Sequence, residues 1–352
     1  MRIRYFFLIA VSGLFFTDCR QEQPADDYTV LEGQTMGTYY RITYQDEKDR
    51  DFQSALDSLF VRINLQVSTY IDSSVISRFN RSADGLDLGP ADAEANDHFL
   101  VNLALAREVY ERSGGAFDPT VMPLVNYWGF GYTGKDPIRS VDSLKVDSLL
   151  EFVGFDKVEL ISRDNRLFLK KQSPGTQLDF SACAKGYAVD EAGRFLEKHG
   201  ISNYLVDIGG EARGRGLNPK GAPWNIGINK PVEGAPMNEI ETAAPLKDLS
   251  VATSGNYRNF YEVDGRKFSH TINPITGFPE RTTLLSSSVF HRDCITADAY
   301  ATTFMVLGLE RAMALAEELP DIEAFFIYAK PDGALGEAYT SGAKAWFEKQ
   351  TN

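Results

Sequence analysis

Asp298 and Thr302, four residues apart in the run ADAYATT (Ala297 to Thr303), are the first side chains in this sequence to suggest chemistry. On a helix that spacing stacks them on one face, so that a carboxylate and a hydroxyl reach the same ion. Two oxygen donors of this kind suit a hard cation such as Mg2+. Taken alone, the pair equally fits a solvated helix face or a threonine bonded back to its own helix. Three other segments ask for related chemistry: GGAFDPTV (Gly114 to Val121), DFSACAKGYAVD (Asp179 to Asp190) and SHTINPITG (Ser269 to Gly277). Together, the four describe a site that handles a diphosphate beside a hard metal.

Within these segments Asp118 and Asp179 read either as ligand-binding acceptors or as turn and cap aspartates. His270 stands among turn-forming residues ahead of Asn273-Pro274. It is either structural or an acid/base, since a neutral imidazole can take a proton from a hydroxyl attacking phosphorus. No dinucleotide fingerprint is present: Gly214-Arg215-Gly216 runs into Leu217-Asn218-Pro219 rather than into a helix. No Walker sequence occurs either. Phosphates therefore have to be held by a metal and a helix start, with Gly209-Gly210 letting backbone approach a ligand without an intervening Cβ.

These groups need elements to position them. The alternation VLEGQTMGTYYRITY predicts two strands broken near Gly33 to Gly37. Helices are predicted over Phe52 to Gln66 and over Asp97 to Arg112, the second burying Leu100, Leu103, Ala104 and Val109 and stopping at Gly114. Gly115 onward is then loop, and Lys135 to Leu150 is a surface excursion or short helix. Strands at Leu167 to Lys170 and Gln177 to Phe180 precede a helix that opens at Lys185-Gly186 and runs to Gly200. Further strands follow at Asn203 to Ile208, Trp224 to Asn229, Ser250 to Thr253, Tyr257 to Val263, Phe268 to Ile272 and Leu284 to Phe290. The helix bearing Asp298, a helix over Leu309 to Glu318 and a strand over Ala324 to Ala329 complete the pattern. Strands in runs as well as alternation with helices predict an α+β fold with a mixed or antiparallel sheet and packed helices.

The chain has 352 residues, enough for one large domain or two intimate lobes, and a net charge of −13. That charge argues against non-specific nucleic-acid binding, which needs a basic footprint. At the N-terminus Arg2 and Arg4 precede a short apolar stretch from Tyr5 to Phe16, followed by Cys19. This reads as a signal peptide over residues 1–18, lipidation of Cys19 and a polar tether over residues 19–27, with plain secretion or a retained anchor as the alternatives. Phe16-Thr17-Asp18 lacks the small residues usual before a lipidated cysteine. Cys183 and Cys294 are either a disulfide or two small buried thiols, and the four histidines lack zinc-ligand spacing.

Nine runs in one order resemble the ApbE-type FAD:protein FMN transferases over essentially the whole chain after the tether. They are MGT at Met36, STYIDSSVISRFN at Ser68, GGAFDPTV, WGFG at Trp128, DFSACAKGYAVD, VDIGGEARGRG at Val206, ATSGNYRNF at Ala252, SHTINPITGFP and ADAYATT. The resemblance implies a single T-fold-like catalytic domain over residues 28–352. It implies Mg2+-dependent cleavage of the FAD diphosphate, with FMN passed to a Ser or Thr of a target protein and AMP released. By motif, Asp298, Thr302 and the Ala182 carbonyl would bind Mg2+, and Met36, Tyr70, Ala116, Phe117, Asp118, Asp179, Lys185 and Ile272 would contact FAD. His270 resembles the general base. The acceptor would be a flavoprotein subunit of a membrane electron-transport complex, reached from a bacterial envelope lipoprotein facing the periplasm. An FAD pyrophosphatase and a non-catalytic flavin-binding lipoprotein are the alternatives, and the aromatic Tyr70 resembles the transferase type. Ser181 and Cys183 depart from the glycine and aliphatic residue usual there, which bears on the loop that presents Ala182.

Overall fold

The computed structural model describes residues 28–347, apart from 92–93, 134–139, 232–239, 257–259, 264–265 and 281. The signal-peptide and Cys19 readings lie outside the described residues. Strands β1 (Tyr28–Thr35) and β2 (Thr38–Gln45) form a hairpin in register from Tyr28 opposite Gln45 to Thr35 opposite Thr38. Met36 and Gly37 close it with φ of 51° and 74°. Two left-handed residues give the turn whose twist matches the strands.

Helix α1 (Gln53–Val67) buries Leu56, Leu59, Phe60 and Ile63. Helix α2 (Val75–Arg81) is capped by the Ser74 hydroxyl, which accepts the Ser77 N–H. Strand β3 (Gly85–Pro90) precedes α3 (Asp97–Arg112), whose buried stripe is Phe99, Asn102, Leu103, Ala106 and Val109. The stripe differs from the predicted one, since Leu100 is half-buried and Ala104 exposed. Phe99 takes the core position because its larger ring gains more by burial. Helices α4 (Met122–Tyr127) and α5 (Ser143–Leu150) then lead to β4 (Val158–Arg163) and β5 (Arg166–Lys171), which make a three-stranded sheet in the order β3-β5-β4.

Helix α6 (Ala184–Lys198) follows, then β6 (Tyr204–Ile208), β7 (Glu211–Arg215), and the hairpin β8 (Trp224–Asn229) and β9 (Ile240–Leu246). Strand β10 (Leu249–Gly255), the pair β11 (Phe260–Val263) and β12 (Arg266–Ser269), and β13 (Leu284–His291) come next. The chain closes with α7 (Cys294–Leu307), α8 (Leu309–Glu318), β14 (Glu323–Ala329), β15 (Leu335–Tyr339) and α9 (Lys344–Phe347).

An eight-stranded sheet in the order β1-β2-β6-β7-β10-β13-β14-β15 carries the molecule, with antiparallel pairing throughout. Alternation along each strand feeds two cores. Val289 and Phe326 join the cluster under α6 and α7, while their neighbours Phe290 and Phe325 join Trp224, Leu246 and Phe347 on the other face. Each such side chain contributes about 1.5–3 kcal/mol of transfer free energy. Helix α7 is buried on nearly every side. It therefore has no polar face to spare, and Asp298 in it is no solvated residue.

The α+β expectation holds, with two corrections to its detail. Gln177 to Phe180 is not a ladder strand: it meets Val121 in an isolated parallel bridge at Gln177 and donates the Asp179 N–H to the Pro119 carbonyl. Side-chain pairing replaces a strand partner, because Asn80 donates to the Leu178 carbonyl at 2.8 Å and accepts the Leu178 N–H at 2.7 Å. The strand expected over Phe268 to Ile272 ends at Ser269, leaving Ile272 in an isolated bridge to Pro279. The strand expected over Tyr257 to Val263 is present from Phe260 to Val263, its first three positions lying outside the described residues. Cys183 and Cys294 are buried free thiols.

Candidate active site

Helix α7 starts without a cap from its own Asp293 side chain. Asp190 of α6 supplies one, with Oδ1 accepting the Cys294 N–H at 2.9 Å and Oδ2 the Ile295 N–H at 3.0 Å. Asp190 Oδ1 also takes Arg213 Nη1 of β7 at 2.7 Å. A buried carboxylate thus satisfies orphan helix donors and is neutralised by a neighbouring strand. One turn further on, Asp298 is 3% exposed. Its Oδ2 accepts the Gly186 N–H at 2.9 Å.

Gly186 explains the Ala-Lys-Gly sequence. A Cβ there would stand 2.3 Å from the Cys294 carbonyl oxygen and 2.8 Å from Asp298 Cβ. Only glycine lets α6 and α7 approach so closely. In the continued helix the Gly186 N–H would go to the Ala182 carbonyl. It goes to Asp298 instead, and no hydrogen bond to the Ala182 carbonyl is present among the described residues. Thr302, one turn beyond Asp298, has its hydroxyl 3.1 Å from Ser254 Oγ of β10. Ser181 fits its place: its N–H and hydroxyl donate to Asp179 at 2.9 and 2.7 Å. No left-handed backbone is required there.

Asp298, Thr302 and Ala182 line a cavity of about 580 Å³. The loops around it are tied to one another. Asp179 N–H donates to the Pro119 carbonyl at 2.7 Å, joining the GGAFDPTV and DFSACAKG segments. Trp128 Nε1 donates to the Gly277 carbonyl at 2.8 Å, joining WGFG to SHTINPITG. Gly114 and Gly115, at φ of 62° and 82°, end α3 and turn the chain toward the cavity. There Ala116, Phe117 and Asp118 form one wall. Asp118 Oδ1 accepts both the Thr120 N–H and its hydroxyl, and burial pushes the Asp118 carboxyl up to about 6.

Asp179, Ile272 and the half-buried His270 also line the cavity, the histidine ring 6.4 Å from that of Phe130. Tyr70 stands at the mouth, 68% exposed, its ring edge-on to Tyr132 at 6.5 Å. The one expected site residue not in the lining is Met36, which sits in the β1–β2 turn. Strand β2, which follows that turn, borders the site through Tyr39, whose carbonyl accepts the Gly209 N–H at 3.0 Å. Gly209 itself lines the cavity.

Sequence reasoning passed over Glu211. The Lys185 ammonium is bonded to Glu211 Oε1, and Glu211 is 4% exposed. Burial alone would lower the Lys185 pKa, but the charges of Glu211 and Asp298 outweigh it and keep the ammonium protonated. Burial pushes the Asp298 carboxyl up, and Lys185 opposes that. The signal for Glu211 was an acidic residue directly after Gly-Gly, inside a short strand of small and basic residues.

The donor set fits a hard cation: one carboxylate, one hydroxyl and a carbonyl that lacks a protein donor. Among the described residues no group of three or more His, Cys, Asp or Glu is placed to hold a metal. Mg2+ characteristically takes one or two carboxylates and completes its shell with water and substrate phosphates.

A model of the ApbE family matches residues 36–326. The chain belongs to the ApbE family. Its relatives include the FAD:protein FMN transferase of Vibrio cholerae, 34% identical over 99% of this chain and 100% of that one. The FAD:protein FMN transferase of Escherichia coli K12 is also 34% identical, over 86% and 87% of the two chains. Among solved structures, the flavin transferase ApbE of Vibrio cholerae superposes with a TM-score of 0.78 at 35% identity, covering 91% of this chain and 99% of that one. The apo flavinyl transferase ApbE of Pseudomonas stutzeri gives 0.79 at 32% identity, covering 91% and 96%. What the chain shares with these solved structures is the α+β fold built on the antiparallel sheet.

Proposed function

We propose that this protein is an FAD:protein FMN transferase. It cleaves the FAD diphosphate, joins FMN through a phosphoester to a Thr or Ser hydroxyl of an acceptor protein, and releases AMP. The observation that carries the reading is that the hard-oxygen set of Asp298, Thr302 and Ala182 lines the same cavity as His270. Mg2+, when bound, supplies positive charge that draws electron density from the diphosphate and eases departure of AMP. Asp298, Thr302 and the Ala182 carbonyl would hold it. His270 takes the acceptor hydroxyl proton at a ring nitrogen as that oxygen attacks phosphorus. Met36, Ala116, Phe117, Ile272 and Tyr70 contact the FAD, while Asp118, Asp179 and Lys185 meet its polar groups.

The acceptor in this reading is a flavoprotein subunit of a membrane electron-transport complex. Cys19 carries the lipid anchor, and the domain faces the periplasm. No helix among the described residues is long and apolar enough to cross a membrane. The test is mass spectrometry of a co-expressed acceptor, which should gain an FMN adduct on Thr or Ser. Asp298→Ala should lower transfer in Mg2+ by more than about 100-fold, beyond what loss of an outer-sphere partner costs. His270→Ala should keep FAD affinity and lose transfer. Full transfer by Asp298→Ala would remove the metal assignment. Equally fast AMP release with no acceptor present would replace transfer by FAD hydrolysis.

A further inference from the structure

We propose that Glu211 is a positioning residue of the metal site, with Oε1 fixing the Lys185 ammonium and Oε2 accepting hydrogen bonds from water on the cation held by Asp298. The inference rests on the metal reading of Asp298 given above. Glu211 opens β7 directly after the Gly209-Gly210 turn, whose φ angles of 65° and 104° aim the strand start at the cavity. Its side chain is 5% exposed and Oε1 is bonded to Lys185. Oε2 is buried and has no hydrogen-bond partner among the described residues. A buried charged oxygen left without a donor costs about 1–3 kcal/mol or more. A donor brought by the occupied site removes that cost.

The neighbourhood limits what that donor is. Oε1 is already taken by Lys185, whose ammonium the charges of both Glu211 and Asp298 favour. A phosphate oxygen carries no proton to give to Oε2. Water bound to Mg2+ does, and Mg2+ keeps several waters. Outer-sphere acceptors that orient such groups are worth about 10–100-fold in metal affinity.

The test titrates the full-length protein in detergent with Mn2+ alone, following loss of the free-ion electron paramagnetic resonance signal. Glu211→Gln keeps shape and removes charge, and should weaken Mn2+ binding about 10–100-fold. The double variant Lys185→Met/Glu211→Gln should stay as weak relative to Lys185→Met. Affinity of Glu211→Gln within about twofold of the parent would overturn the proposal. So would parental affinity in the double variant, since Glu211 would then be only the counter-charge of Lys185. If Glu211→Gln loses its cooperative melt, the double variant carries the comparison, having no unpaired charge. Asp298→Ala run alongside separates the two levels. Parental Mn2+ binding there removes the metal reading itself, whereas its loss beside an unaltered Glu211→Gln removes only the role of Glu211.

Discussion

Asp118 is 8% exposed, and two hydrogen bonds from Thr120, at 2.8 and 2.6 Å, favour its ionised form. Burial wins and raises the carboxyl from 3.8 to about 6. The folded state therefore holds a proton through that window that the unfolded chain has released. Its contribution to stability is fully present below the ordinary carboxylate pKa and is lost as pH rises through about 6. At 1.36 kcal/mol per pKa unit the loss reaches about 3 kcal/mol by neutral pH. Asp118→Asn, whose amide oxygen still accepts from Thr120, should match the parent at pH 4. At pH 7 it should be up to about 3 kcal/mol more stable, measured by urea unfolding without FAD. At this scale the sequence was informative about residues whose type and spacing announce chemistry, such as Asp298 and Thr302. It was uninformative about Glu211, whose importance lies in an oxygen that the fold buries and leaves unmatched.

Helix α7 is held to α6 by two glycine-scale details: the bare Cα of Gly186 and the carboxylate of Asp190. Asp190 accepts two N–H groups of α7 and pairs with Arg213 of β7. One side chain thus fixes a helix against a helix and a strand. Asp190→Ala leaves Arg213 without its shortest ion pair and α7 without its cap, and breaking a buried pair costs about 3–5 kcal/mol. The expected outcome is that loss in chemical denaturation, together with weaker Mn2+ binding at the untouched Asp298. Unchanged metal affinity would show that α7 keeps its place without Asp190. Element types were legible where hydrophobic period was strong, as in α1, α3, α6 and α8. Strand β7 was not, because Ala212 and Gly214 are too small to mark an apolar face between Glu211, Arg213 and Arg215, whose partners lie across the fold. The segment Gln177 to Phe180 failed in the opposite sense: it has the alternation of a strand, and a side chain, Asn80, takes the place of the strand partner.

For the whole molecule the net charge of −13 opposes approach of any polyanion, FAD included. Raising ionic strength from about 0.01 M to 0.15 M shortens the screening length from about 30 to 8 Å. The FAD association rate, followed by stopped-flow flavin fluorescence, should therefore increase over that range, by about two- to threefold. A fall instead would mean that local positive charge at the site outweighs the global field. The α+β class, the longer helices and the chemical types at the site were legible along the chain, since these follow from period, composition and spacing. Only the tertiary structure decided that Asp298 is buried rather than solvated, that Gly186 takes its carboxylate and frees the Ala182 carbonyl, and that Lys185 is already engaged by Glu211. Those facts depend on which helix meets which strand, and contacts between residues tens of positions apart leave no period in the sequence to read.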